Sequence, residues 1–196
     1  AASTHHGEEG FIAQMHSKLL QQIPDALLLL APRHPERANV IKAILGNENL
    51  SVAQRSLNEP ITADTQVYLF DTLGEMGLVY YISPVSVVCG SLTQSSAGHN
   101  PLEATRLGSA VISGSNISSF SDIYDSLIEA NAVRVVKDTP EFETALFTLL
   151  TDEPARAAQA KSARKLARAQ DGVLDTIWKG LSPFMPDSGT NIETSN

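Results

Sequence analysis

The chain has 196 residues, 42% of them hydrophobic and 18% charged, the balance of a globular protein rather than of a disordered tail or a fibrous repeat. Its net charge of −8 and pI near 5.0 exclude a broad nucleic-acid surface, which needs clustered Lys and Arg, but leave room for one small anion site. A single cysteine, Cys89, excludes an intramolecular disulfide, and no apolar run approaches the roughly 18 to 20 residues of a membrane span.

The opening "AASTHHGEEG" has no Met and reads as a strand ending near Ala2 followed by a helix start, the beginning of a domain cut from a longer protein. Ser3 and Thr4 are expected to cap that helix, with Glu8 and Glu9 complementing its dipole. Six short apolar runs follow, at 26 to 31, 50 to 54, 66 to 70, 85 to 89, 109 to 113 and 132 to 136. They are continuous rather than alternating, as in strands buried on both faces. Segments of helical period at 8 to 22, 35 to 45, 74 to 82, 101 to 107 and 119 to 130 lie between them. Such alternation predicts an α/β fold, a doubly wound, Rossmann-like and mostly parallel sheet with right-handed crossovers.

After residue 140 helices dominate. "TPEFETALFTLLTDEPARAAQAKSARKLARA" predicts a helix pair broken at "DEP", the second member packing on the outside. "DGVLDTIWKGL" predicts one more short helix that docks Ile177, Trp178 and Leu181 on the body. Residues 1 to 181 are thus expected to form one domain and residues 182 to 196 a flexible tail. Cys89, closing "VSVVC", reads as a small buried residue and not as a nucleophile.

Ligands of doubly wound sheets sit beyond the carboxyl ends of the strands, so the polar residues there are the candidates. "APRHPERANV" places Arg33, His34 and Arg37 together, three cationic donors suited to a phosphate or carboxylate, against the alternative of a solvated salt-bridge cluster. In "LFDTLGEMGLVY", Thr72 and Glu75 have capping-box spacing, which leaves Gly74 unexplained inside the expected first turn. In "SAGHNPLEATRLGSAVIS", Asn100 is a favoured N-cap, Pro101 suits the first helical position, and Glu103 is placed either to reach back to the cap or to accept from ribose hydroxyls. The preceding "GSLTQSSAG" reads as a flexible loop able to fold over a ligand. No HxxxH, DxD or Cys/His cluster suggests a metal, and no cofactor is expected.

The four motifs "ASTHHGEE", "PRHPER", "DTLGEM" and "GHNPLE", in that order and each after a strand, resemble the Kdo transferases, the 3-deoxy-D-manno-octulosonic acid transferases of lipopolysaccharide assembly. The resemblance covers roughly residues 1 to 180 and departs from the family where Cys89 precedes Gly90, Ala97 precedes Gly98, Ser115 stands for Pro and Ser119 for Asn. It implies the C-terminal, donor-binding lobe of a GT-B glycosyltransferase, with CMP-Kdo as ligand. By that similarity Ser3 and Thr4 lie near the phosphate or sugar, Arg33 and His34 near the nucleotide, and Gly74 and Glu75 along the cleft. Asn100 and Glu103 complete the site, Glu103 at the ribose.

The resemblance also implies that no catalytic residue lies in this chain. The base and the surface for the acceptor, a lipid A precursor, belong to an N-terminal lobe, and membrane contact on the cytoplasmic side of the bacterial inner membrane comes through the parent protein. The competing readings are the donor-binding half of another GT-B enzyme or epimerase using a UDP-sugar, and a non-catalytic α/β interaction module whose motifs are only caps.

Overall fold

The structure, a computed structural model, describes residues 1–94 and 96–184, with only the backbone described for 168–177 and 183. The expected flexible tail therefore lies outside the described residues from 185 onward, and residues 182–184 form a 3₁₀ turn.

Seven strands form one parallel sheet: β1 (Ala2–Thr4), β2 (Leu28–Pro32), β3 (Val52–Gln54), β4 (Val67–Leu69), β5 (Val85–Val88), β6 (Ala110–Gly114) and β7 (Val133–Val136). β2 to β7 match the six apolar runs of the sequence, and β1 is the opening strand, which runs to Thr4 rather than ending near Ala2. The spatial order is β3-β4-β2-β1-β5-β6-β7. The chain winds outward from β1 through β2, then returns to place β5 on the other side of β1, so the strand order reverses between β1 and β5. That reversal opens a crevice at the carboxyl ends of the two strands.

Among the described residues seven α-helices cover the two faces. Ile12 of α1 (Glu8–Leu20), Ile41 of α2 (Ala38–Asn47) and Phe142 of α6 (Thr139–Thr151) pack with Leu30, Leu69 and Ile112 on one face. Tyr80 of α3 (Met76–Ile82), Ala104 of α4 (Leu102–Leu107), Tyr124 of α5 (Ser121–Glu129) and Ala163 of α7 (Glu153–Leu181) pack with Val88 and Val111 on the other. Neighbours Val111 and Ile112 thus serve opposite faces, which is why the strand sequences are continuously apolar.

The break at "DEP" is where Asp152 caps α7 by accepting from the Ala155 amide at 2.9 Å, with Pro154 in the first turn. Beyond it the expectation of two helices is corrected. α7 runs unbroken through Gly172 to Leu181, because a single interior glycine costs only about 1 kcal/mol. Its first half is no loose outer layer: Ala160, Ala163 and Ala167 are buried against α4 and β6, and buried Gln159 donates to the Val111 carbonyl at 2.7 Å. The expected docking of Trp178 and Leu181 does not occur, since both are exposed, and the Ile177 side chain lies outside the described set.

Candidate functional site at the β1/β5 switch point

The loops leaving β1, β2 and β5 meet above the crevice. His5 follows β1 directly, and its Nε2 lies 2.8 Å from Nε2 of His99, which ends the loop after β5. The two rings are stacked with centroids 5.0 Å apart, and His34, just past β2, meets His5 edge-on at 6.0 Å. A contact between two imidazole nitrogens requires one to donate and the other to accept, so at most one of the two Nε2 atoms carries a proton. Burial, then the neighbouring His5 and Arg33, holds His99 below the usual histidine range. Arg33 is exposed beside this trio, its backbone N–H donating to the Thr4 carbonyl at 3.0 Å. Among the described residues no carboxylate pairs with it.

Beneath the imidazoles lies a buried acidic brace. Glu8 and Glu9 have no exposed surface. Glu8 accepts three backbone N–H groups: His5 at 2.9 Å and Gly90 at 2.8 Å on Oε2, and Leu92 at 3.0 Å on Oε1. It thereby ties the loop after β1 to the loop after β5. Glu9 accepts from both terminal nitrogens of Arg37 and, at 3.3 Å, from the Thr4 hydroxyl. These carboxylates are structural anchors and not just first-turn charges for the helix dipole. Arg37 is correspondingly removed from the expected trio of free cations.

The loop expected to be flexible is pinned in several places. Gly98 N–H donates to the Gly90 carbonyl at 2.9 Å, and the Asn116 side-chain amide donates to the Thr93 carbonyl at 3.0 Å and to that of Ser96. Gly90 has φ +76°, and a Cβ there would stand 2.7 Å from the His99 ring. Only glycine lets the strand end pass under the histidine pair. Buried Tyr124 completes the support, its hydroxyl donating to the His99 carbonyl at 3.2 Å and lying 2.9 Å from Ser113 Oγ. Burial pushes the pKa of that hydroxyl up to about 12.

The residues singled out from the sequence fall into two groups. Arg33 and His34 adjoin the imidazole pair and Asn100 follows His99 in the chain, whereas Thr4 is fully buried with its hydroxyl on Glu9, and neither Ser3 nor Thr4 caps α1. Gly7 is the N-cap, with no side-chain hydrogen bond, because β1 extends to Thr4 and a turn intervenes. Ser3 instead has φ +57° at an irregularity in the pairing of β1 with β2. The expected cap at Asn100 is corrected: α4 starts at Leu102, Pro101 is its N-cap residue with no side-chain cap hydrogen bond, and Asn100, one residue earlier, accepts from the Leu102 N–H on its Oδ1 at 2.9 Å.

Gly74 and Glu75 belong to a second group beyond β4. Gly74 stands before α3 with φ +81°, so it forms a loop and costs the helix nothing. Glu75 accepts a fork from Arg55, 2.7 Å from Nη2 and 3.1 Å from Nε, and also the Thr72 hydroxyl. The expected reciprocal capping box is replaced by this side-chain cluster, and Arg55, then Thr72, holds the Glu75 carboxyl below its usual range. Glu103 is exposed and lies over α3 rather than at its own cap, since a Cβ on Gly77 would be 3.5 Å from its Oε1.

The sequence reading missed His5, His99 and the role of Glu8. Both histidines stood inside the quoted motifs, each next to a strand end or a cap, and that adjacency was the available signal. What the arrangement offers is anion binding: one unpaired guanidinium and three imidazoles above a rigid brace. Covalent catalysis is not supported by Cys89, a fully buried thiol whose pKa burial pushes up, with Glu8 next in effect. Among the described residues no group of three His, Cys, Asp or Glu side chains has metal-binding geometry.

No protein-family model matches the chain. The crystal structure of the C-terminal CMP-Kdo binding domain of WaaA from Acinetobacter baumannii superposes with a TM-score of 0.80 at 35% identity, covering 84% of this chain and 85% of that one. The chain belongs to the Kdo transferase family. Curated Kdo transferases agree: that of Haemophilus influenzae is 38% identical over 94% of this chain, and a probable mitochondrial one of Arabidopsis thaliana is 33% identical over 98%. The chain spans only 43% and 44% of those two relatives' lengths. WaaG, a glycosyltransferase involved in lipopolysaccharide biosynthesis, shares the fold alone, at a TM-score of 0.54 and 19% identity over 84% of this chain and 40% of that one. The fold is the one expected of the C-terminal lobe of a GT-B Kdo transferase.

Proposed function

We propose that residues 1–181 form the CMP-Kdo binding domain of a Kdo transferase, which delivers Kdo to a lipid A precursor in lipopolysaccharide biosynthesis. The observation that carries this reading is the cluster of Arg33, His5, His34 and His99 at the crevice where the strand order reverses. A nucleoside monophosphate matches it, because one phosphate needs one compact set of donors. In this reading Arg33 and His34 meet the nucleotide, and Ser3 and Thr4 border the phosphate or sugar. Gly74 and Glu75 line the cleft, with Glu75 held by Arg55. Asn100 sets the start of α4, and exposed Glu103 accepts from the ribose.

In the transfer the bond between the Kdo anomeric carbon and the CMP phosphate oxygen breaks as the acceptor hydroxyl attacks that carbon. CMP departs carrying the extra negative charge, and Arg33 and the imidazoles stabilise it as it forms. The base for the acceptor hydroxyl comes from an N-terminal lobe. Near the crevice Glu8, Glu9 and Glu75 are each bound to amides or guanidinium groups, which supports a base from elsewhere. Among the described residues no helix is long and apolar enough to cross a membrane. Contact with the cytoplasmic face of the inner membrane is assigned in this reading to the parent protein.

Calorimetric titration with CMP, CDP and UDP tests the reading. CMP should bind, CDP should gain little from its second phosphate, UDP should bind more weakly, and the 196-residue chain alone should transfer no Kdo. Tighter binding of UDP than of CMP would move the chain's ligand to another sugar nucleotide.

A further inference from the structure

His5 and His99 spend their Nε2 atoms on each other: the two lie 2.8 Å apart, with the rings stacked at an interplanar angle of 15°. One Nε2 donates and the other accepts, so the contact holds a single proton. A second proton would set two N–H groups head to head and open it. Three elements hold the pair in place. Glu8 of α1 accepts the His5 N–H at 2.9 Å, Tyr124 of α5 donates to the His99 carbonyl at 3.2 Å, and Gly90 after β5 leaves room for the His99 ring. Both rings are half-buried, so their free edges remain within reach of solvent and of a ligand.

The charges around the pair do not compensate a second proton. Arg33, in the loop after β2, adds positive charge and pairs with no carboxylate among the described residues. His34, in the same loop, meets His5 edge-on at 6.0 Å and has its own partner, Glu36, 3.4 Å from its Nδ1. The carboxylates of α1 are spent, Glu8 on three backbone amides and Glu9 on Arg37 and the Thr4 hydroxyl. From α5 comes only the neutral Tyr124 hydroxyl, and His6 beside the pair is exposed. Burial, then His5 and Arg33, disfavours a charge on His99. A dianion seated against Arg33 reverses that balance.

We infer that His5 and His99 act as one unit that reads the charge of the phosphate: the pair opens and takes up a second proton when the phosphate becomes a dianion, so that both Nε2 atoms donate to it. The inference rests on the donor-site reading above. In CMP-Kdo the phosphate is a diester with one negative charge. When the bond from the Kdo anomeric carbon to the phosphate oxygen breaks, the electron pair stays on that oxygen and CMP leaves as a monoester with a second charge. The proton taken up by the pair comes from solvent, and the proton of the acceptor hydroxyl goes to its own base. A site that gains positive charge in step with the phosphate's second negative charge favours the departing group over the intact donor, which is the difference that lowers a barrier.

Calorimetric titration at about pH 7.5 in buffers of different ionisation enthalpy counts the protons, with CMP a dianion there because its second pKa is near 6. CMP should take up about one proton per site, and its Kd should rise about tenfold from pH ~7 to ~8, since one linked proton gives a tenfold change per pH unit. The 5′-methyl ester of CMP, a monoanion, should take up less than half as much and show a flatter profile. His5→Gln and His99→Gln should each abolish the uptake, whereas His34→Gln should weaken CMP binding and keep it. If either pair variant fails to melt cooperatively, the imidazole resonances of the parent chain decide: with saturating CMP, His5 and His99 should both stay protonated to about pH 8. CMP binding without proton uptake, or with the same uptake as its methyl ester, would overturn the inference and leave the donor site standing. Absence of CMP binding would remove both.

Discussion

Glu8 is the residue on which the geometry of the site turns, and substituting it separates bracing from mere helix-end charge. Glu8→Gln keeps the shape of the side chain but replaces one oxygen with an NH₂ group. That group must face either the Leu92 amide or the pair of amides from His5 and Gly90, all within 3.0 Å of the carboxylate. At least one buried N–H then loses its acceptor, at about 1–3 kcal/mol, and the surviving bonds lose their charge assistance. We expect Glu8→Gln to cost about 2–4 kcal/mol in urea unfolding with unchanged m-value, or a drop of about 4–16 °C in Tm at ~2–4 °C per kcal/mol. Glu8→Ala should cost more, since all three amides are orphaned. Because Glu8 sets the spacing of the loops that carry His5 and His99, CMP affinity should fall with stability. A Glu8→Gln protein within about 0.5 kcal/mol of the parent would refute the bracing role, because surface helix charges contribute on that scale.

Tyr124→Phe removes the hydroxyl that contacts Ser113 and the His99 carbonyl, and should cost about 1–2 kcal/mol in denaturant unfolding while leaving the fold intact. Acid should destabilise the chain in two windows, measured as urea midpoints from pH 7.5 to 3.5. His16 and His99 both titrate below 6.5 in the fold, so the stability tied to their neutral forms is complete above 6.5 and is lost as pH falls from there towards their folded values. Glu75 and Asp71 are held below 4.5 and 3.8, so their contribution is complete above those values and disappears below them. A midpoint that stays flat from pH 7.5 to 5 would contradict the histidine assignment.

The strands were legible because both faces of the sheet are covered, and the only polar residues in runs such as "VSVVC" and "SAVIS" are small serines that are themselves buried. The switch point followed once the strands were in order. Side-chain assignments near the crevice were less legible, because local rules account for each motif without reference to its neighbours. Glu8 and Glu9 satisfy the helix dipole on paper, yet the amides of Gly90 and Leu92, more than 80 residues away, and Arg37 claim them. Thr72 and Glu75 have capping-box spacing, yet Arg55 from the loop after β3 takes the carboxylate. α7 read as two pieces because Gly172 weighs more in a local window than in a long helix anchored by Gln159 and a row of buried alanines. In each case a tertiary partner distant in sequence outweighed a correct local preference.

The placement of the donor nucleotide can be watched directly through the five histidines, of which His5, His34 and His99 line the crevice while His16, on the Gln66 carbonyl at 2.9 Å, reports the far end of the sheet. Titrating CMP into the chain and following the imidazole resonances should shift His5, His34 and His99 together, with one dissociation constant, and leave His16 unmoved. Saturable shifts at His16 without change at the other three, or no saturable shift at any of them, would contradict a donor site at the β1/β5 switch point.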